Sequence, residues 1–177
     1  MIFKPTKLKE VFEIELELKG DDRGYFMRNF AVEEFKAHGI NAHIVHINRG
    51  FNKTKGTIRG FHYQTAPKAE DKILQALSGA FYDIVVDLRR DSSTYKEWQG
   101  FEISAEKKNM LVVPKGCAHG IQTLTDNCEM QYLVTEYYSP EHERGIRWND
   151  PGFDFKWPLG SPIVISDKDA NWPDFTG

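Results

Sequence analysis

Cysteine is scarce in this chain. Cys117 and Cys128 are the only two, and no CxxC pair exists. A disulfide scaffold is therefore excluded, and two free thiols in a reducing cytoplasm are the expectation. Long apolar runs are also missing, so no membrane-spanning helix is expected. The opening stretch, MIFKPTKLKEVFEIELELKG, carries too much charge for a signal peptide. Nor is there an excess of one charge: the formal net charge of -3 creates no field that would gather nucleic acid or an anionic membrane. An anionic ligand would have to be met by a local group of arginines and lysines. What the chain does have is an ordinary folded composition. Its 177 residues suit one domain, 1–177, and 40% hydrophobic with 28% charged residues argue against disorder. Aromatic residues make up 13%, which favours a β-rich core or an aromatic-lined pocket.

Period-2 patterning dominates. Residues 11–18, VFEIELEL, read as a half-exposed strand, and Gly20 to Gly24 as a turn leading into a strand from Tyr25 to Phe30. Glu33 to His38 suits a short helix closed by Gly39. Ile44 to Asn48 reads as a strand and Arg49 to Gly56 as a polar loop. Lys72 to Leu77 and Ala80 to Leu88 read as strands joined by a Ser78-Gly79 hairpin. Further strands are expected at Trp98–Ser104, Met110–Pro114, His119–Leu124 and Glu129–Tyr137. Ser166-Asp167-Lys168-Asp169 fits a helix N-terminus of the capping-box type. Roughly nine or ten short strands with little helix imply an all-β sandwich or closed barrel.

The stretch that draws chemistry together is Gly56 to Gln64, GTIRGFHYQ. Strict alternation puts Arg59, Phe61 and Tyr63 on one face and Ile58, Gly60, His62 and Gln64 on the other. Gly60 relaxes that rule if it marks a bulge. Taken alone, His62 reads best as a hydrogen-bonded core histidine.

The ordered set of motifs changes that balance. GTIRGFHYQ, Lys72, GAFYD running to VDLR, PKGCAHG, Tyr132, YSPE, GIRWNDP and SDKD stand in an order and spacing that resembles the dTDP-4-dehydrorhamnose 3,5-epimerase family of nucleotide-sugar epimerases. The resemblance runs from about Asp21 to Pro173. It implies a cupin-type jelly-roll barrel with a few short helices, forming a homodimer in which an N-terminal strand is exchanged. It also implies a cofactor-independent isomerase acting on a nucleotide-diphosphate 4-keto sugar in deoxysugar biosynthesis. His62 matches the family's base, Asp169 the carboxylate that orients it, Tyr132 the general acid, and Lys72 the cation beside the developing enolate oxygen. His119 and Asp83 match residues around the sugar. Arg59 and Arg23 match diphosphate-binding arginines, Arg23 coming from the partner subunit. Glu143 and Lys168 match further ligand contacts.

Each of these residues has a plainer reading. Asp169 reads locally as a helix cap, Tyr132 as a barrel-lining aromatic, Lys72 as a solvated strand end, Arg23 as a turn charge, and Glu143 and Lys168 as solvated groups. A metal cupin would hold its ion with several histidines and a carboxylate. Here Gln64 stands where a second histidine would sit and the second motif offers only His119, so no metal is expected.

Two stretches depart from the family pattern. DxRGxFxE becomes DDRGYFMRNF, with Arg28 at the glutamate position, and QDNxSxS becomes INRGFNK over 47–53. Cys117 replaces the phenylalanine of PxGFAHG and reads as a small packing residue. An intact catalytic set beside altered nucleotide contacts leaves three outcomes: inversion at C3 and C5, inversion at C3 alone on another nucleotide sugar, or a binding protein without catalysis.

Overall fold

The computed structural model describes all residues, 1–177. It contains thirteen strands and two short helices. The strands are β1 (Ile2–Pro5), β2 (Phe12–Glu15), β3 (Leu18–Asp21), β4 (Gly24–Met27), β5 (His46–Asn52), β6 (Ile58–Gln64), β7 (Lys72–Ser78), β8 (Ala80–Asp87), β9 (Trp98–Ser104), β10 (Asn109–Val113), β11 (Cys117–Thr123), β12 (Cys128–Val134) and β13 (Glu143–Gly145). Helix α1 (Val32–Ala37) follows β4, and α2 (Asp167–Ala170) lies near the C-terminus. A six-stranded sheet in the order β1-β2-β10-β7-β12-β5 faces a five-stranded sheet in the order β13-β6-β11-β8-β9, and β3 and β4 form a separate hairpin. This is the all-β, cupin-type jelly roll that the patterning and the resemblance imply.

The alternation along each strand explains the layering. On β7, Leu74 enters the central core while Ile73 faces the opposite way, under α1. On β12, Met130 and Tyr132 point inward and Leu133 outward. On β8, Phe81 and Val85 point inward, while Ile84 and Val86 meet Phe61, Phe153 and Phe155 on the outer face of the five-stranded sheet. Apolar material thus covers both faces of both sheets. The inner layer is apolar at one end, where Leu111, Phe101 and Cys117 meet. Toward the other end β6, β7, β11 and β12 turn polar side chains inward, and the site lies there.

Three local expectations need correction, and two short strands go unanticipated. Residues 11–18 are not one strand: β2 stops at Glu15 and β3 begins at Leu18. Leu16 is buried while Leu18 is 48% exposed, because the chain has left the sheet between them. Ser78-Gly79 is not a hairpin, since β7 and β8 belong to different sheets. Gly79 carries the chain across with φ +67, where an added Cβ would lie 2.2 Å from Thr125 Oγ1. Residues 49–52 are not loop but the second half of β5, paired along its length with β12. Its arginine, glycine and asparagine have weak strand propensity, and the pairing overrides it. Finally, β1 and β13 are short partners held by neighbouring strands and have no periodic signal of their own.

Candidate active site

The bulge at Gly60 sets the geometry. Gly120 of β11 pairs with Gly60, and the next residue back, His119, pairs with His62, so β6 carries one extra residue, Phe61. Gly60 has φ +107, and a Cβ there would lie 2.7 Å from both Gly120 Cα and His119 O. No side chain fits. Phe61 turns outward and stacks on Phe155 with ring centroids 4.3 Å apart. Arg59 and His62, which strict alternation would place on opposite faces, consequently line the same inner cavity.

That cavity has two connected lobes of about 460 Å³ and 180 Å³, with His62, Lys72 and Tyr132 lining both. His62 comes from the five-stranded sheet, whereas Tyr132 and Lys72 come from the six-stranded one. The imidazole and the phenol therefore face the same hollow from opposite walls.

His62 Nε2 lies 2.6 Å from Asp169 Oδ1. Burial works to raise the Asp169 carboxyl, but the His62 hydrogen bond, the Gly60 amide and Ser166 outweigh it and hold it below the usual range. An ionised carboxylate only accepts, so His62 carries its hydrogen on Nε2 and presents the Nδ1 lone pair elsewhere. Tyr132 is pushed up, first by burial and then by the nearby Glu70, which keeps it a phenol at neutral pH.

Lys72 sits between two groups: Nζ is 3.4 Å from His119 Nε2 and 3.4 Å from Glu70 Oε1. His119 Nδ1 is 3.0 Å from Asp83 Oδ2. Burial drives this pair toward its neutral forms, lowering His119 and raising Asp83. Arg59 is aimed by Asn52, whose Oδ1 accepts from Nε at 2.6 Å. At the mouth, Lys168 pairs with Glu143 at 2.7 Å, and the Tyr138 hydroxyl donates to Glu143 at 2.7 Å.

The fold therefore brings together His62, Asp169, Tyr132, Lys72, His119, Asp83 and Arg59, with Glu143 and Lys168 at the rim. Gln64 also lines the larger lobe, with its amide already engaged by the protein. Gln64 is 3% exposed, donates to Lys68 O and Tyr137 O, and accepts from Ser139 N at 2.6 Å. Its amide staples a loop at the wall of that lobe. Arg23 and Arg28 are exposed and line neither lobe. Arg23 sits at the β3–β4 turn, paired only with Asp21 at 2.6 Å. No group of three or more histidine, cysteine, aspartate or glutamate side chains converges on a common point. Burial pushes the Cys117 thiol up to about 12, in keeping with a packing residue.

Three contributors lie outside the motif reading: Asn52 behind Arg59, Glu70 beside Lys72, and Trp172, whose Nε1 donates to Asp169 Oδ1 at 3.3 Å. Asn52 falls in what reads as loop, and Glu70 in a charged run that reads as solvent-facing. Their roles depend on which strands lie alongside, and nothing local signals that.

A jelly roll whose hollow holds a carboxylate-oriented imidazole facing a phenol, with a lysine between, belongs to the class of cupin-fold enzymes built for proton transfer at carbon. The comparisons sharpen this. The family model described as dTDP-4-dehydrorhamnose 3,5-epimerase matches residues 5–177. A dTDP-4-dehydrorhamnose 3,5-epimerase of Shigella flexneri is 39% identical over 171 residues, covering 96% of this chain and 93% of that protein. The crystal structure of the Bacillus anthracis enzyme of that name, with TDP and pyrophosphate bound, superposes with a TM-score of 0.93 at 40% identity, over 98% of this chain and 100% of that one. A Legionella pneumophila dTDP-6-deoxy-D-glucose-3,5-epimerase in complex with dTDP-4-keto-L-rhamnose gives 0.91 at 34% identity, over 98% and 92%. The chain belongs to the dTDP-4-dehydrorhamnose 3,5-epimerase family and is an isomerase.

Proposed function

We propose that the chain inverts C3 and C5 of a nucleotide-diphosphate 4-keto-6-deoxy hexose, converting dTDP-4-dehydro-6-deoxyglucose to dTDP-4-dehydrorhamnose. The observation that carries this is the His62–Asp169 pair on one wall of the hollow, with Tyr132 on the other and Lys72 beside them.

The 4-keto group acidifies the C–H bonds on both flanking carbons. His62 Nδ1 takes the proton from one face, and the electron pair of the broken C–H bond moves onto the C4 oxygen. Lys72 Nζ, with His119 behind it, stabilises that enolate. Tyr132 returns a proton to the carbon from the opposite face, which inverts the centre. Solvent then restores the protonation of both residues. Repeating the cycle at the second carbon completes the reaction without a cofactor. Arg59 is the guanidinium on this chain suited to the diphosphate, oriented by Asn52. Glu143 and Lys168 close the mouth around the substrate.

The functional unit is read as a homodimer. Leu18, Tyr25 and Phe26 on the β3–β4 hairpin and Ile47 and Phe51 on β5 are 48–63% exposed, apolar surface that suits a second copy. In that reading the hairpin carries Arg23, and beyond it Arg28, to the other subunit's substrate. The two free, buried cysteines accord with a cytoplasmic protein. No helix is long and apolar enough to cross a membrane.

The test is turnover in deuterated water with the 4-keto substrate, read by mass. Deuterium is expected at two positions, C3 and C5. One position would restrict the activity to C3, and binding without exchange would make the chain a non-catalytic receptor. His62→Asn should reduce exchange by about a thousandfold, within the range for a positioned acid–base group. Undiminished exchange in that variant would overturn the assignment of the base.

A further inference from the structure

Trp172 lies just beyond α2, outside every motif that marks the site. We propose that it is a positioning residue, which locks the Asp169 carboxylate and through it aims His62. The inference rests on the reading of His62 as the base and adds a component to it.

Four observations converge on the indole. Its Nε1 donates to Asp169 Oδ1, the same oxygen that meets His62 Nε2. Its ring stands edge-on to the His62 ring, with centroids 6.2 Å apart and planes at 72°. It lies over Gly145, which pairs directly with His62 across β13 and β6. A Cβ at Gly145 would lie 2.3 Å from two carbons of the indole, so that glycine is the recess into which the ring fits. Finally, Lys168 Nζ sits 5.4 Å from the ring centroid while bound to Glu143 at the cavity mouth.

The segment carrying Trp172 is itself tied down. Arg147 N donates to Pro173 O at 3.3 Å, Arg147 Nε and Nη2 donate to the Asp174 carboxylate at 2.9 and 3.0 Å, and Phe175 N donates to Asp150 Oδ2 at 2.6 Å. The indole therefore reaches the dyad from a strapped segment.

The Gly60 amide and Ser166 already bear on the Asp169 carboxyl, and the indole adds a donor on the very oxygen that meets His62. That further narrows rotation about the Cβ–Cγ bond, which would otherwise carry the imidazole with it. The imidazole then meets the substrate C–H in one orientation, the kind of support that orients a reacting side chain through its neighbour. Gly145 is required because any larger residue would push the indole off the carboxylate.

The test is a double-mutant cycle on turnover. Trp172→Phe keeps a ring in the recess and removes the N–H. It should lower kcat about tenfold, the low end for one hydrogen bond to a charged group, with KM within about twofold of wild type. Gly145→Ala should lower kcat at least as much by displacing the indole. In a Trp172→Ala background, Gly145→Ala should add nothing further, because the group it displaces is gone. Unchanged kcat in Trp172→Phe, or full additivity of Gly145→Ala and Trp172→Ala, would overturn the proposal. His62→Asn, run in parallel, separates the two readings. If it abolishes exchange while Trp172→Phe is neutral, only the positioning role fails. If it leaves exchange intact, both readings fail.

Discussion

Strand β8 carries two buried aspartates on its inward face, and they are treated in opposite ways. Asp87, at the strand's end, is saturated. Its Oδ1 accepts from Arg89 N and Nε, and its Oδ2 from Arg89 Nη2, Ser92 Oγ and Thr94 Oγ1. Burial pushes its carboxyl up, but Arg89 and the two hydroxyls prevail and hold it at about 2. Asp83, four residues earlier, has one partner, His119, and its Oδ1 has none. Burial pushes that carboxyl up. The scaffold end of the strand has all its polar valences filled, whereas the site end keeps capacity in reserve. A buried acceptor without a donor is destabilising by about 1–3 kcal/mol. Such an arrangement is expected where polar groups must answer charge that moves during a reaction rather than charge already present.

If that contrast is sound, substitutions at the site end should change rates and leave stability alone. After His62→Asn, the largest effect expected is from Tyr132→Phe, which removes the proton donor on the far wall and little volume. Inversion should slow by about a hundredfold, in the range for a positioned general acid. Exchange should continue, because His62 can still remove a proton and return a solvent-derived one to the same face. Product configuration and deuterium content, measured together, check this. Undiminished inversion would remove Tyr132 from its role, and parallel loss of exchange and inversion would mean that the phenol also serves abstraction.

The next effect is smaller and tests how far the site extends beyond one chain. Arg23→Ala should raise KM about tenfold with kcat little changed, as expected for a lost charge-assisted contact to phosphate. Mixing Arg23→Ala subunits with His62→Asn subunits should restore kcat/KM, since one site of the mixed dimer then has an intact His62 and an intact Arg23. Failure to recover, once subunit exchange is demonstrated by mass, would place Arg23 in its own chain's chemistry or outside the site.

The same contrast explains what the sequence made legible. Strands that bury one face more fully than the other, such as β9 and β12, are visible from alternation to within a few residues because the difference in burial writes the pattern. β5 and the Ser78-Gly79 crossing are not, because their state depends on which strand lies alongside, a long-range fact. Asp169 shows the limit most clearly. Its local reading as part of a helix cap is right: its backbone N–H donates to Ser166 Oγ at 3.1 Å. Its carboxylate meanwhile crosses to His62. The two roles use different atoms, so local sequence reports the cap and is silent on the carboxylate. Ordered motifs could flag that residue, but Trp172 and Asn52 act through neighbours brought close only by folding, and no motif flags them.

The smallest catalytic effect, and the sharpest check on the contrast, belongs to the scaffold end. Asp87→Asn should leave kcat and KM unchanged and lower stability. The folded value of about 2 lies below the ordinary 3.8, so the ionised form is favoured by folding. That difference corresponds to about 2 kcal/mol at neutral pH, or roughly 4–8 °C in Tm for a chain of this size. A depressed carboxyl contributes fully above its unfolded value and loses the contribution as pH falls through the folded one. The gap between wild type and Asp87→Asn should therefore be constant from neutral pH down to about 5 and close between about 4 and 2. Denaturation followed across that range measures it directly. A gap that persists at the acid end would assign the stabilisation to the shape of the Arg89–Ser92–Thr94 cluster and not to the charge, and the two aspartates of β8 would then differ in packing alone.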